Sequence, residues 1–440
     1  MLDFMDYIQQ AFYHSSRWNI DNSYSGLNAT AQSILEFPIP KGLRLNVSSL
    51  GTPHFSSSYT ISLAGTSAGP VTGQLSYLYS SLPLTVPSRS STIPLSAIVR
   101  GYRHLRPLRA PDNPRDWEVW HRGRRVDERD TLLYGRIFLP TSRLEALWLR
   151  RTTPTQMLQV RGVSDASLPN GGSLLGVVHN DHGKYSTEYL FSSDSALLGA
   201  RTLYNVGHDP RQKQDDSSEE LMPTRAGTTA ASTAPPSLFS MGVEVYYGLL
   251  NKSGGMSTGL RFTTLPAYLA FPYTMTLTLN PLMGNLSSTY AVKAGKYLAL
   301  SSRFDFNFYS YESGVLVGCE LWRLRKRAPL ERINDAVKTS ETPPSATMED
   351  FVNPAMDKAA EEEQAGGGLL RSLGHGFPSQ APADEDVVGV LKARVDQDWK
   401  IGLLWEGRFK ELLCSVGASL DLKRREKIFA GVGLEVQYSN

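Results

Sequence analysis

The sequence has few cysteines, few charges and almost no net charge, and each shortage excludes a class of protein. Its 440 residues include only two cysteines, Cys319 and Cys414, too few for a disulfide scaffold or a four-cysteine metal site. Charged residues make up 20% of the chain, below the roughly 25% usual in soluble domains. The formal net charge is +2, so the chain as a whole lacks the basic footprint of a nucleic-acid-binding protein.

Long apolar runs are also absent. Two stretches, 45–88 and 262–292, contain no Asp, Glu, Lys or Arg. A transmembrane helix needs about 20 predominantly apolar residues, whereas Ser, Thr, Gly and Pro interrupt both stretches throughout. We therefore expect neither stretch to be a membrane-spanning helix.

The sequence does contain a regular alternation of apolar and polar residues. In 273–279 the odd positions are Tyr, Met, Leu and Leu, and the even positions are all Thr; 303–308 and 428–438 alternate similarly. Successive side chains of a strand point to opposite faces, so each run has one apolar face. Several runs reach the roughly 9–11 residues of a membrane-crossing strand, against 5–6 in most soluble sheets. A soluble β-sandwich is the alternative interpretation of this pattern. If the strands are embedded in a membrane, they have to close into a barrel, because unpaired backbone groups cannot face lipid.

This alternation predicts nineteen strands of an all-β transmembrane barrel. They lie near 29–37, 42–49, 57–65, 70–80, 131–140, 143–152, 155–163, 173–181, 184–193, 196–206, 238–250, 253–264, 270–280, 285–294, 296–309, 314–323, 398–407, 409–421 and 427–438.

The N-terminal residues differ from the rest of the chain. Residues 1–16 are predicted to form a short amphipathic helix, because four apolar residues recur there at helical spacing. These residues are Leu2, Met5, Ile8 and Phe12. Residues 17–440 are predicted to form the barrel with its loops. Asp3 and Asp6 stand where a secretory signal carries basic residues, so we expect no such signal.

Three long loops are expected at about 81–130, 207–237 and 323–390, where the alternation stops. The first contains basic clusters at 100–109 and 121–125, predicted to be solvated, with acidic lipid headgroups or nucleic acid as alternative partners. The second is expected to be disordered because it is rich in Asp, Glu, Ser, Thr and Pro. The end of the third, about 384–396, is expected to form a short amphipathic helix.

Motifs for catalysis and ligand binding are incomplete. Ser67 lies in GTSAG, but an alternating strand follows it, where a nucleophile elbow needs a helix. His179 and His182 have metal-ligand spacing without an evident third ligand. Residues 294–297 lack the remainder of a phosphate-binding loop. The sequence therefore predicts no catalytic residue, no metal site and no cofactor.

Several longer segments resemble one protein family. The segments LDFMDYIQQAFYHSSRWN, GQLSYLYS, LTLNPLMGNLSSTYAVKAG, FDFNFYSYESGVLVGCELW, LLWEGRFKELLCSVGASL and GLEVQYS closely resemble the fungal mitochondrial distribution and morphology protein 10 family. The resemblance implies a nineteen-stranded barrel of the mitochondrial outer membrane, with parallel first and last strands and the N-terminal helix in or against the lumen. It also implies two sets of partners: the ER–mitochondria encounter structure, which tethers the organelles and supports phospholipid exchange, and the sorting and assembly machinery, which inserts outer-membrane barrels.

The resemblance also suggests particular residues. Tyr77 and Tyr79, two residues apart on one strand face, are candidates for docking onto the sorting and assembly machinery, and Tyr290 is a candidate for the tether partner. The family's membrane-insertion signal, a polar residue, a glycine and two hydrophobic residues, matches Gly433, Val436 and Tyr438 in the last strand. At the polar position this chain has Gly431.

Three functions are therefore compared. The first is a non-enzymatic scaffold that binds outer-membrane lipids and protein partners but no nucleic acid. The second is a porin-like metabolite channel, whose lumen would be lined by Arg303, Asp305, Glu320 and Glu435. The third is a soluble all-β enzyme, which the missing catalytic motifs disfavour.

Overall fold

The computed structural model describes most of the chain. The described residues are 1–66, 69–106, 108, 119–122, 124–126, 130–168, 170–206, 237–265, 271–324, 387–423 and 429–440. Most of the predicted loops at 207–237 and 323–390 lie outside these ranges, as does Ser67.

The described residues contain short helices and many strands. The helices are α1 (Phe4–Ser15), α2 (Ala29–Leu35) and α3 (Leu95–Ile98). The strands are β1 (Gly42–Thr52), β2 (Phe55–Thr66), β3 (Gly69–Ser80), β4 (Val119–His121), β5 (Arg124–Val126), β6 (Thr131–Leu139), β7 (Arg143–Thr153), β8 (Gln156–Ser164), β9 (Gly172–Asp181), β10 (Tyr185–Ser192), β11 (Leu197–Val206), β12 (Ser237–Gly248), β13 (Ser253–Thr264), β14 (Tyr273–Asn280), β15 (Asn285–Lys293), β16 (Leu298–Asn307), β17 (Ser313–Leu324), β18 (Val387–Asp396), β19 (Lys400–Phe409), β20 (Leu412–Asp421) and β21 (Phe429–Ser439). In the part of the chain that is described, no helix has the length and hydropathy to cross a membrane.

Nineteen of these strands form one closed sheet; β4 and β5 pair only with each other. Each barrel strand is antiparallel to its neighbours along the chain, except at the seam. There β1 runs parallel to β21, in register from Gly42 opposite Gly433 to Ser48 opposite Ser439. An odd number of up-and-down strands makes this parallel pair unavoidable. The predicted nineteen-stranded barrel with a parallel closing pair and a short N-terminal helix is confirmed.

Two element assignments from the sequence are wrong, and they cancel in the strand count. Residues 29–37 were predicted as a strand, but α2 occupies most of this segment and buries Ala31, Ile34 and Leu35 at helical spacing. Residues 384–396 were predicted as a helix, but β18 lies there. In the sequence, Lys392 looks like a residue on the polar face of an amphipathic helix. In the structure it faces the lumen and is only 1% exposed.

The three long connections leave the barrel at one rim. They are 81–130 after β3, 207–236 after β11 and 325–386 after β17. In barrel order these are strands three, nine and fifteen. Alternate strands run in opposite directions, so connections that follow odd-numbered strands emerge together. We call this end the long-loop rim; the opposite end carries shorter connections.

Candidate functional site

The barrel lumen contains the N-terminal segment. Helix α1 buries one face completely, with Tyr7, Ile8 and Phe12 all at 0% exposure. It packs against a cluster of inward-facing strand residues near the long-loop rim, including Leu132 and Leu149. The apolar stripe recognised in the sequence is therefore covered by the barrel wall.

Polar contacts fix the start of this segment to the wall. The Asp3 carboxylate accepts hydrogen bonds from Arg44 (3.2 Å), Arg136 (3.3 Å) and Asn46 (3.1 Å). Arg44 also lies 3.6 Å from Glu435. These contacts join the helix to β1, β6 and β21, on both sides of the seam.

The chain after α1 continues around the inside of the barrel. Asn22 donates a hydrogen bond to Asp181 (2.6 Å), and the Ser23 hydroxyl donates one to Glu188 (2.5 Å). Both acceptors lie on the wall formed by β9 and β10. The N-terminal segment thus reaches the side of the lumen that β9 and β10 form.

Helix α2 continues this path along β15, β16 and β17. Leu35 packs against Gly318, and Arg303 pairs with Glu36 just after the helix. Residues 39 and 40 then lie against Gly417, and Pro40 against Gly433, immediately before β1 begins. Residues 1–41 therefore run once around the inside of the barrel before the chain joins the barrel wall as β1.

A second segment, 81–106, lies over this ring at the long-loop rim. Leu84, Ile93 and Ile98 are almost completely buried, and the Ile98 carbonyl accepts a hydrogen bond from the Leu2 amide (2.9 Å). The expectation of a solvated basic cluster at 100–109 holds for Arg100, whose side chain is 52% exposed. Arg103 instead pairs with Asp21 (2.5 Å) inside the barrel.

Buried ionic groups connect this second segment to the wall. Glu320 accepts a hydrogen bond from the Tyr102 amide (3.0 Å). Lys392 donates one to the Arg100 carbonyl and lies 2.9 Å from Glu406. Glu320, Lys392 and Glu406 are each at most 1% exposed. We call these three side chains the lumen ion cluster.

Titratable groups in the second segment are desolvated. Burial is the main reason that the pKa of Tyr102 rises to about 12. Burial, assisted by the nearby Lys293, lowers the pKa of His104 to about 4. Both side chains are therefore neutral near pH 7, as expected for a packed interior.

Tyr77 and Tyr79 lie on the outer surface, as the alternation predicts. They are 45% and 47% exposed, whereas Ser76 and Leu78 between and beside them point inward and are buried. The rings of Phe55 and Tyr77 stack with centroids 6.0 Å apart. The tyrosines thus belong to an aromatic cluster on the outside of β2 and β3.

A hollow of about 430 Å³ adjoins this cluster. Gly135, Ala146 and Gly162 are consecutive cross-strand partners on β6, β7 and β8, and their small side chains leave the wall recessed. Tyr77, Tyr79 and Trp148 contribute to the lining. We call this feature the outer hollow. The alternation predicted the tyrosines' direction but not the recess, which depends on cross-strand register.

Comparison with known proteins identifies the family. The family model described as Mitochondrial distribution and morphology protein 10 matches residues 1–440. Proteins of that name from Phaeosphaeria nodorum, Sclerotinia sclerotiorum and Podospora anserina are 56%, 50% and 41% identical, each with both chains covered in full. The chain belongs to the mitochondrial distribution and morphology protein 10 family. The resemblance seen in the sequence is confirmed, and the family's name indicates a role in mitochondrial distribution and morphology.

The candidate tether residue of this family member lies far from the tyrosine pair. Tyr290 is outward-facing on β15 and half-exposed, with its ring 6.3 Å from that of Tyr273. Around the closed sheet, β15 is ten strands from β3 in one direction and nine in the other. Tyr290 and the Tyr77–Tyr79 pair therefore face opposite sides of the barrel.

The candidate insertion-signal residues divide between the two faces of β21. Val436 and Tyr438 point outward, whereas Gly433 points inward and is buried. A Cβ atom at Gly433 would lie 2.3 Å from the Pro40 carbonyl oxygen. The glycine therefore has a packing role in the folded barrel, which the sequence did not reveal.

The remaining candidate motifs form no reactive centre within the described ranges. His179 Nδ1 lies 3.2 Å from Glu188, and His182 stacks on Tyr185. The two histidines therefore have separate structural contacts. The described part of the chain contains no group of three side chains that could hold a metal ion.

The position of α1 can be tested by cysteine labelling. In a chain whose Cys319 and Cys414 are replaced by alanine, we expect Ile8→Cys to react slowly with a water-soluble maleimide, because Ile8 is buried in the lumen. Ser310→Cys, in an exposed turn, is the control and should react rapidly. Equal rates in the folded, detergent-solubilised protein would show that α1 is not packed inside the barrel.

Proposed function

We propose that this chain is a non-enzymatic scaffold of the mitochondrial outer membrane, where it anchors the ER–mitochondria tether and acts with the sorting and assembly machinery in barrel biogenesis. The observation that carries the proposal is a closed barrel whose exterior is apolar and whose lumen contains two segments of its own chain, 1–41 and 81–106. Such a molecule offers surfaces instead of a passage. Its contribution to phospholipid exchange and to morphology would follow from holding other proteins in place.

The distribution of surfaces supports two separate partners. The Tyr77–Tyr79 pair and Tyr290 face opposite sides of the barrel, so two membrane-embedded partners could be bound without overlap. Aromatic side chains are frequent anchors of protein interfaces. We assign the tyrosine pair to the sorting and assembly machinery and Tyr290 to the tether. Val436 and Tyr438, with Gly433, form the proposed insertion signal.

Replacing both Tyr77 and Tyr79 by alanine tests this assignment. We expect weaker co-isolation of the sorting and assembly subunits from outer membranes solubilised in mild detergent, with tether subunits retained. The changes remove outward-facing rings and leave the lumen contacts intact. The matched control is Tyr185→Ala with Tyr189→Ala, another pair of exposed outward tyrosines on β10.

Two results would contradict the assignment. If co-isolation of both partner sets falls equally, the tyrosine pair serves the fold instead of one interface. If the β10 control pair has the same effect, the loss reflects general aromatic contact with lipid at the membrane surface.

The alternative function is a porin-like metabolite channel. The four residues that would line such a channel do point into the lumen: Arg303, Asp305, Glu320 and Glu435. Two of them are engaged by lumen segments, because Arg303 pairs with Glu36 and Glu320 accepts a hydrogen bond from the Tyr102 amide. In planar bilayers we therefore expect little conductance from the intact protein. Replacing 82–106 by a short Gly/Ser linker should raise it. Large, stable conductance of the intact chain would favour the channel.

A further inference from the structure

The outer face of the barrel carries almost no charge. Among its described strand residues, only Arg150 and Arg323 are charged, as the register of the strands and their alternation show. Arg323 is the penultimate residue of β17 and is exposed. Arg150 lies three residues before the end of β7 and is half-buried, between the inward-facing Leu149 and Arg151.

Arg150 has no counter-charge on its own face. The outward-facing strand residues described here contain no carboxylate, and Arg150 forms no ion pair within the described chain. Its Nε atom is buried and has no hydrogen-bond partner within the described ranges. A charged side chain on a lipid-facing strand costs free energy unless it lies near the interface or finds a partner. Among the described outward-facing residues none supplies the compensating negative charge, which a lipid phosphate would provide.

The outer hollow lies near this arginine, which is not one of its lining residues. Trp148, two residues from Arg150 on the same strand face, contributes to its lining. A Cβ atom added to Gly135 or Gly162 would meet nothing within 4 Å, so the recess is open between the aromatic residues and the opposite wall. Its volume of about 430 Å³ suits one long acyl chain.

We propose that Arg150 and the outer hollow form a binding site for one glycerophospholipid in the leaflet at the long-loop rim. The guanidinium would donate paired hydrogen bonds to the headgroup phosphate, whose geometry matches its planar fork. One acyl chain would lie along Gly135, Ala146 and Gly162. The inference rests on the proposed membrane location. Because Tyr77 and Tyr79 border the hollow, the lipid would form part of the surface that they offer to a partner.

Native mass spectrometry of the full chain in detergent tests the site. Dioleoyl phosphatidylglycerol is added as the probe, and the fraction carrying one tightly held lipid is measured. Arg150→Gln is expected to weaken this binding roughly tenfold, as for the loss of a charge-assisted hydrogen bond. Gly135→Leu should also weaken it by filling the recess. Arg323→Gln is the control, because it removes the other outward arginine without touching the hollow, and should retain the lipid.

Folding and competing occupants are separated in the same experiment. Each variant is first checked for heat-modifiable migration on a cold SDS gel, so that a misfolded barrel is not scored as one that has lost the lipid. Glycerol 3-phosphate should not displace the lipid, because it lacks the acyl chain. Unchanged lipid binding by Arg150→Gln would overturn the proposal. Unchanged binding by Gly135→Leu with loss of a protein partner would also overturn it and assign the hollow to that partner. Failure of the proposed scaffold function would instead appear in the co-isolation assay, whatever the lipid result.

Discussion

Replacing Gly433 by alanine is expected to destabilise the barrel at its seam, whereas the same change at Gly431 should be tolerated. A Cβ atom at Gly433 would lie 2.3 Å from the Pro40 carbonyl oxygen, 2.4 Å from the Pro40 carbonyl carbon and 2.7 Å from the Lys41 nitrogen. All three are backbone atoms. At Gly431 the nearest atom is the flexible Lys41 Cγ, at 3.8 Å.

The seam cannot relieve this clash cheaply. Residues 39–41 lead from the lumen into β1, whose parallel pairing with β21 begins at Gly42 opposite Gly433. Moving this segment away from β21 would also pull it from Gly417, which contacts Ile39 and Pro40. We expect Gly433→Ala to lower the free energy of unfolding by about 3 kcal/mol, the upper part of the usual range for overpacking.

The measurement is the urea midpoint of each variant refolded from denaturant into detergent, without any assembly factor. Gly433→Ala should shift the midpoint strongly and Gly431→Ala only slightly. Equal shifts would mean that the contact with Pro40 does not limit stability. Normal stability combined with failed insertion into isolated mitochondria would instead support the insertion-signal role alone.

The direction of most strand side chains could be predicted from the sequence, because alternation depends only on local geometry. Tyr77 and Tyr79, which alternate with the polar Gln74 and Ser76, accordingly lie on the outside. The same reasoning failed at β18, where an inward-facing lysine is satisfied by partners distant in sequence. A single sequence does not distinguish a strand lysine that faces water from a strand lysine that faces a packed lumen.

The contacts that hold the lumen segments in place could not be predicted, because they depend on pairs that only the closed barrel brings together. Asp3 meets Arg136 across 133 residues, and Lys392 meets the Arg100 carbonyl across 292. The signal that was available was the basic cluster at 100–109 combined with inward-facing acids. That cluster is expected in solvent because long loops usually lie on the surface, whereas its Arg103 pairs with Asp21 inside the barrel.

Replacing Lys392 by methionine should loosen the second lumen segment from the wall. Methionine keeps the length of the side chain but removes its pairing with Glu406 (2.9 Å) and its hydrogen bond to the Arg100 carbonyl. Breaking one partner of a buried ion pair typically costs 3–5 kcal/mol. Glu406 keeps a contact with the Met1 amino group, so we expect a loss of about 3 kcal/mol, the lower end of that range.

The matched control is Lys400→Met on the adjacent strand. Lys400 lies 3.7 Å from Asp398, and both side chains are at least half exposed, so this ion pair contributes little. Thermal unfolding in detergent should separate the two variants clearly. Limited trypsin digestion adds a local measurement: cleavage after Arg100 or Arg103 should accelerate in Lys392→Met, because the segment that holds them loses its contact with β18. Unchanged digestion together with unchanged unfolding would show that the lumen ion cluster does not hold the second segment in place.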